Sequence, residues 1–300
     1  MTSLVAIPAA IPSPPVNGFG IGPFFLHFYG LMYVVGIVIA VAMTRRRWRR
    51  VGGDPALVDE VALWAVPAGI VGGRIYFDIT TPAVMPHTWW GPFAVWQGGL
   101  GIWGGVALAT VVGLWRVHRH RASMPLFMDA VAPGLLVAQG IGRIGNYFNQ
   151  ELFGGPTSLP WGLEIAPADR PPGYLQYPTF HPTFLYELIF DVAWAGFLIW
   201  LGSRKRAPRP PGLFALYVFG YSAFRIFEET LRIDYSQHFL GLRLNTFVAG
   251  ALALAAMAWF VAIQVRGGRP AAASDHPGPA EREVDRGGEG DEVHQPRSGE

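Results

Sequence analysis

The sixteen residues from Gly140 to Gly155, GIGRIGNYFNQELFGG, set Arg143, Asn146, Asn149 and Glu151 at the end of a long apolar run. A cation and a carboxylate at a membrane boundary are costly, which makes them a functional-site candidate. A guanidinium is a planar fork of donors suited to phosphate oxygens. A second arginine, Arg225, also follows an apolar run and precedes a polar segment. Two arginines can neutralise one phosphodiester and then the charge developing on its leaving group. Plainer readings stand beside these. Asn146 and Asn149 suit a helix C-cap or turn, Gly142 and Gly145 suit close helix packing, and Arg225 with Glu229 has the spacing of a surface ion pair. His181 opens HPTFLYE; it reads as a base or, with Pro182, as a helix-entry residue. Asp129 in MDAVAPG reads as a capping residue. The chain has no cysteine, P-loop, paired-histidine metal motif or GxSxG elbow. The chemistry expected is therefore that of arginines, carboxylates, a histidine and tyrosines, with no metal and no cofactor.

These groups need a membrane scaffold to position them. Of the 300 residues 51% are hydrophobic and 15% charged, against about 25% charged in a soluble globular chain. The fold class predicted is all-α, a polytopic bundle of seven transmembrane helices with an outward-facing loop region. The spans expected are 23–44, 57–78, 95–116, 126–147, 183–202, 212–229 and 245–265, each near the ~20 residues that cross a bilayer. The second and sixth are the weakest, since both carry charges near their ends.

Basic clusters follow alternate segments: Arg45 to Arg50, Arg116 to Arg121, Ser203 to Arg209, and Arg266 with Arg269. Such loops face the cytoplasm. The intervening stretches, including the long one at 147–182, face outward and hold aromatics such as Trp89, Trp90, Trp96, Trp161, Tyr174 and Tyr177, which suit the headgroup level. This places residues 1–22 outside as a leader without the basic start of a cleavable signal, residues 23–265 in the membrane, and residues 266–300 in the cytoplasm as a disordered acidic tail. The excess positive charge sits in short loops, a topology signal and not a nucleic-acid one. Arg74, Asp78, Arg143, Glu151, His181, Glu187, Arg225, Glu229 and Arg232 all fall near outward helix ends or outer loops. They are candidates for one polar chamber, or singly for snorkelling charges and internal pairs.

The motifs LHFYGLMYVVG, GGRIYF, WQGGLGIWGG, GRIGNYFNQELFGGPT, HPTFLYE and YSAFRIFEETLR, in that order over about residues 27–245, together resemble the bacterial prolipoprotein diacylglyceryl transferases. The resemblance implies seven membrane helices with the N-terminus outside, in the bacterial plasma membrane. It implies transfer of the diacylglyceryl group of phosphatidylglycerol to the lipobox cysteine of a preprolipoprotein signal peptide, with a thioether formed and glycerol phosphate released. By motif, Arg143 matches the arginine that holds the headgroup and Arg225 the second essential arginine, with Tyr221 and Glu229 beside it. Asn146, Glu151 and Gly154 match further functional positions. Where many members have a histidine, often proposed as a base, GGLGIWGG has Trp103, and an indole nitrogen only donates. Glu151 and His181 are alternative proton acceptors, Tyr221 a poorer one. A thiol beside two arginines is also partly ionised without a dedicated base.

Two rival classes are a transporter with an outward vestibule, which calls for repeated halves and broken mid-membrane helices, and an inactive homologue that only binds anionic lipid. The chain has no such repeat and retains the charged set. The account preferred is arginine electrostatics with no dedicated histidine; on it His181→Ala keeps clear transfer activity, while Arg143→Ala or Arg225→Ala loses at least about 100-fold, the scale of one transition-state donor. A folded but inactive His181→Ala would overturn this.

Overall fold

The computed structural model describes residues 10–22, 24–84, 88–95 and 98–266. Most of the expected tail, the first nine residues of the leader, and Trp96 lie outside the described residues. Seven long helices dominate: α1 (Phe28–Arg50), α2 (Pro55–Thr80), α3 (Ile102–Arg119), α4 (Met124–Asn149), α5 (Thr183–Gly202), α6 (Gly212–Leu231) and α7 (Leu244–Arg266). Among the described residues are three short antiparallel strand pairs, one before α1 and two in the connections after α4 and α6: β1 (Gly18–Ile21) with β2 (Phe24–His27), β3 (Leu163–Glu164) with β4 (Thr179–Phe180), and β5 (His238–Phe239) with β6 (Leu242–Arg243). The result is an all-α polytopic membrane protein.

Among the described residues five helices (α1, α2, α4, α5 and α7) are long and apolar enough to cross a membrane by length and composition. The predicted weakness of α2 has a local remedy: Asp59 pairs with Arg45 at 3.5 Å and Glu60 with Arg116 and His120. The helices α3 and α6 are not among the five. The first ends in Arg116 and Arg119, and the second carries Arg225, Glu228 and Glu229 in its last turns. The clusters Arg45 to Arg50 and Arg116 to Arg119 lie on the closing turns of α1 and α3 and not in loops, where long stems can run along apolar surface while the charges reach water.

Inside a bilayer, helices associate through close contact and polar pairing, because lipid is as apolar as the helix surface. At the α2–α3 seam a Cβ on Gly72 would meet the carbonyl oxygen of Gly104 at 2.4 Å, and one on Gly104 would meet that of Gly72 at 2.2 Å. Only glycine permits this approach. At the α1–α4 seam Gly36 lies on Ala138 and Gly134 on Ala40.

At the basic end Asp129 of α4 caps a different helix from its own. Its Oδ1 accepts the Phe214 N–H at 2.9 Å, at the start of α6. Arg47 of α1 donates to the carbonyls of Ala130 and Asp129, both at 3.1 Å. This knot fixes α1, α4 and α6 together, below a core of Ala132, Leu136, Ala195, Leu198, Leu213 and Leu216. At the opposite end Phe153, Leu163, Ile165 and Phe180 form a second core under the hairpins. There the connections knit across the bundle, with Ile11 bridging to Leu163 and Gly154 to Arg232.

The α6–α7 connection is closed by charge. Asp234 accepts from Arg232 at 2.7 and 2.9 Å and from Arg243 at 3.1 Å. Burial pushes the Asp234 carboxyl up, but the hydrogen bonds from Arg232 and the charges of Arg232 and Arg243 outweigh it and hold the group below the usual carboxylate range. Because the folded value is depressed, the stabilisation is complete above the unfolded value, near 4, and fades as pH falls through the folded one. Asp234→Asn therefore melts below wild type at pH 7, with the gap narrowing as pH falls below the unfolded value near 4. Gly72→Val costs about 1–3 kcal/mol or more by overpacking, whereas Gly250→Ala, with nothing near its Cβ, is neutral or stabilising. Thermal unfolding in detergent checks all three.

Candidate functional site

The groups singled out by residue type converge where α4 and α6 end and α5 begins. Helix rise alone puts them at one level. Arg143 and Arg225 each lie six residues from the end of their helix, and Glu187 four residues from the start of its own, which is about 9, 9 and 6 Å of depth at 1.5 Å per residue.

Glu187 is the centre. Its side chain is 0% exposed, and it faces Arg143 Nε at 2.8 Å and Arg225 Nη1 at 3.6 Å. Arg143 and Arg225 remain 21% and 16% exposed. Two cations from different helices thus share one buried carboxylate, each with an open flank. Arg143 also donates to Asn146 Oδ1 at 3.4 Å and to the Tyr221 hydroxyl at 3.2 Å. Arg225 is clamped by Glu228 and Glu229 from its own helix. The other oxygen of Glu229 takes Arg243 Nε at 2.6 Å, and Arg243 in turn reaches Asp234. Charges removed from water are tolerable only in such networks.

Glu151 completes the outer rim. Gln150 caps α4 in the left-handed conformation, at φ 51°, and turns the chain back so that the Glu151 N–H meets the Asn146 carbonyl at 3.1 Å. The Glu151 carboxylate then accepts from Asn146 Nδ2 at 2.9 Å and Asn149 Nδ2 at 3.2 Å. Both asparagines therefore serve a carboxylate as well as ending a helix. Tyr29 of α1 packs on Gly145, where an added Cβ would meet its ring at 2.5 Å.

Gly154 is in place for backbone reasons. Its N–H donates to the His181 carbonyl at 2.9 Å, and a Cβ would meet His181 Cβ at 2.8 Å and the Leu231 carbonyl at 3.0 Å. It locks the start of α5 to the end of α6, which sets Glu187 against Arg225. The His181 ring is directed to Tyr186, Nδ1 to hydroxyl at 3.1 Å, and Trp161 Nε1 joins the same hydroxyl at 3.1 Å. Trp103, half exposed, stands in the first turn of α3. The expected single chamber is divided: Arg74 pairs with Asp78 at 3.0 Å and is wrapped by the carbonyls of Gly91, Pro92, Gly98 and Gly99. It orders the segment before α3 and is not joined to Arg143 or Arg225. Arg232 is likewise held by Asp234.

Two participants, Glu228 and Arg243, were not among the residues the sequence assigned to the candidate chamber, and Glu187 was assigned to it without the central place it takes here. Glu228 was legible only as a charge weakening α6, Glu187 as one acid among many, and Arg243 not at all. An acid four residues into an apolar helix was the signal for Glu187; Arg243 carries none, because its contact depends on a hairpin. Among the described residues no three acids or histidines are arranged to hold a metal ion.

Comparison with known proteins bears on this arrangement. The family model for prolipoprotein diacylglyceryl transferase matches residues 17–262. A phosphatidylglycerol–prolipoprotein diacylglyceryl transferase of Bifidobacterium adolescentis is 45% identical over 274 residues, covering 86% of this chain and 81% of the relative. A second such transferase of Streptomyces coelicolor is 46% identical over 258 residues, covering 84% and 80%, and one of Cutibacterium acnes is 44% identical over 264 residues, covering 87% and 88%. With the match running from the first hairpin through α7 and including every member of the charged cluster, the chain belongs to the prolipoprotein diacylglyceryl transferase family.

Proposed function

We propose that this chain transfers the diacylglyceryl group of phosphatidylglycerol to the lipobox cysteine of a preprolipoprotein signal peptide, forming a thioether and releasing glycerol phosphate. The observation that carries the reading is the pair Arg143 and Arg225, brought from different helices onto one buried carboxylate with their flanks open. The phosphodiester of the headgroup takes the open flanks of both guanidiniums. The sulfur attacks the glycerol carbon bonded to the phosphate oxygen, the S–C bond forms as the C–O bond breaks, and the charge gathers on the departing phosphate. The arginines, held in advance by Glu187, Glu228, Glu229 and Tyr221, stabilise that charge without reorganising. Tyr221 and Asn146 orient Arg143, and Glu151 holds Asn146. Gly154 and His181 keep α5 in register with α6, and Trp103 offers an apolar wall to acyl chains or the signal peptide.

The site lies at the end remote from the basic clusters. By the bias of basic residues toward the cytoplasm, it faces the outer leaflet of the bacterial plasma membrane, with residues 1–22 outside, the bundle at 23–265 and the tail at 266–300 in the cytoplasm. There both substrates arrive laterally, among membrane lipids.

Purified protein incubated with phosphatidylglycerol labelled in its diacylglyceryl group and a lipobox peptide is expected to give labelled thioether. A Cys→Ser peptide gives none, and Arg143→Lys, which keeps the charge but loses the fork, falls by at least about tenfold. Folded wild type that yields no thioether would overturn the proposal.

A further inference from the structure

Phosphatidylglycerol holds two glycerols on one phosphate, each joined to it by a C–O bond of the same kind. Transfer of the diacylglyceryl group requires that the sulfur break one of these bonds and leave the other whole. Arg143 and Arg225 cannot make that choice, because guanidiniums address the phosphate oxygens and not the carbons beyond them. The acylated glycerol is marked by its chains, which stay among apolar helices. The headgroup glycerol is marked only by its hydroxyls, and in a bilayer these lie on the water side of the phosphate. A group that recognises them must stand outward of the two arginines and keep a hydrogen-bonding atom unspent.

His181 meets both conditions. It lies two residues before α5 begins, whereas Glu187, which marks the level of the arginines, lies inside that helix. Its backbone is fixed to the segment that follows Glu151: its carbonyl accepts from the Gly154 N–H at 2.9 Å, and its N–H donates to the Gly155 carbonyl at 3.0 Å. Its half-buried ring is oriented by a relay. Indole only donates, so Trp161 Nε1, at 3.1 Å, takes up a lone pair of the Tyr186 hydroxyl. The single hydrogen of that hydroxyl then has His181 Nδ1 as its acceptor, at 3.1 Å. Nδ1 is spent, and Nε2 carries a hydrogen, as it does also in the charged ring, where both nitrogens donate. Among the described residues Nε2 has no partner. The arginines and asparagines around it are committed. Asn146 and Asn149 each give an N–H to Glu151, and Arg170 holds the carbonyls of Ile165 and Leu175. Arg232 and Arg243 hold Asp234 and Glu229.

Building on the transferase reading, we propose that His181 donates its Nε2–H to a hydroxyl of the headgroup glycerol and is the residue that selects phosphatidylglycerol by its headgroup. Trp161 and Tyr186 are positioning residues, which fix the direction of the ring and the nitrogen that carries its hydrogen. The headgroup departs with the phosphate as glycerol phosphate, so the bond is kept throughout the step. It orients the phosphodiester so that the acylated carbon meets the sulfur, and the charge that develops is left to the arginines.

The test is competition between two donor lipids with the same acyl chains: phosphatidylglycerol, and phosphatidylpropanol, whose headgroup lacks both hydroxyls. The readout is the ratio of their kcat/KM values for thioether formation on a lipobox peptide. Loss of folded protein lowers both values and leaves the ratio where it was. Wild type is expected to favour phosphatidylglycerol about tenfold, the scale of one hydrogen bond. His181→Ala should bring the ratio to within about twofold of one by slowing transfer from phosphatidylglycerol. His181→Gln, whose amide N–H stands in for Nε2–H, should keep most of the preference. Tyr186→Phe, which frees the ring to turn, should lose part of it. If His181→Ala slows both lipids alike and keeps the wild-type ratio, His181 only holds the start of α5 and the proposal fails. Wild type that makes thioether equally well from both lipids would overturn it as well. Both results leave the transferase reading standing; that reading fails if folded wild type makes no thioether from phosphatidylglycerol.

Discussion

The structure turns on a buried carboxylate between two guanidiniums. Glu187 is wholly excluded from solvent, and an unpaired charge there would cost several kcal/mol or more. Arg143 and Arg225 remove that penalty only while α4, α5 and α6 stay in register, so the same contacts that hold the helix ends together also aim the cations. The arginines in turn depend on Tyr221, Asn146, Glu228 and Glu229 for orientation. Little of this would stabilise a soluble protein, where exposed pairs contribute almost nothing. Away from bulk water the network is strong, and removing one member leaves another charge uncompensated.

Precision at that end is inherited from contacts farther off. Asp129 and Arg47 fix the far ends of α1, α4 and α6, and the glycine seams set helix spacing where lipid supplies no driving force for association. The clamp of Gly154 on His181 and Leu231 sets the rotation of α5 against α6. Arg74 performs a comparable task for the segment entering α3, using carbonyl oxygens in place of acids. Similar arginines near one membrane boundary therefore do different work. Arg74 and Arg232 are consumed by structure, while Arg143 and Arg225 keep part of their side chains exposed.

Much of this was legible in the residues alone. Apolar runs of helix length, alternating with basic clusters, specify a polytopic bundle because hydrocarbon tolerates little else. Arg143, Asn146 and Glu151 announce a site because ionisable groups in such runs are costly, and their spacing puts them within two turns of one another. Short-range chemistry of this kind depends on neighbours in the chain, which a sequence displays.

What only the tertiary structure decided is which charges meet. Glu187 lies 44 residues beyond Arg143 and 38 before Arg225, and no local pattern says that one carboxylate faces both. The separation of Arg74 from the cluster, the capping of α6 by Asp129 from α4, and the reach of Arg243 back to Glu229 likewise depend on helix rotation. That rotation is set by glycine contacts and crossing backbones distant in sequence. The chain by itself marked a set of costly charges near one end of a membrane bundle; packing decided which of those side chains meet and which are spent holding loops in place.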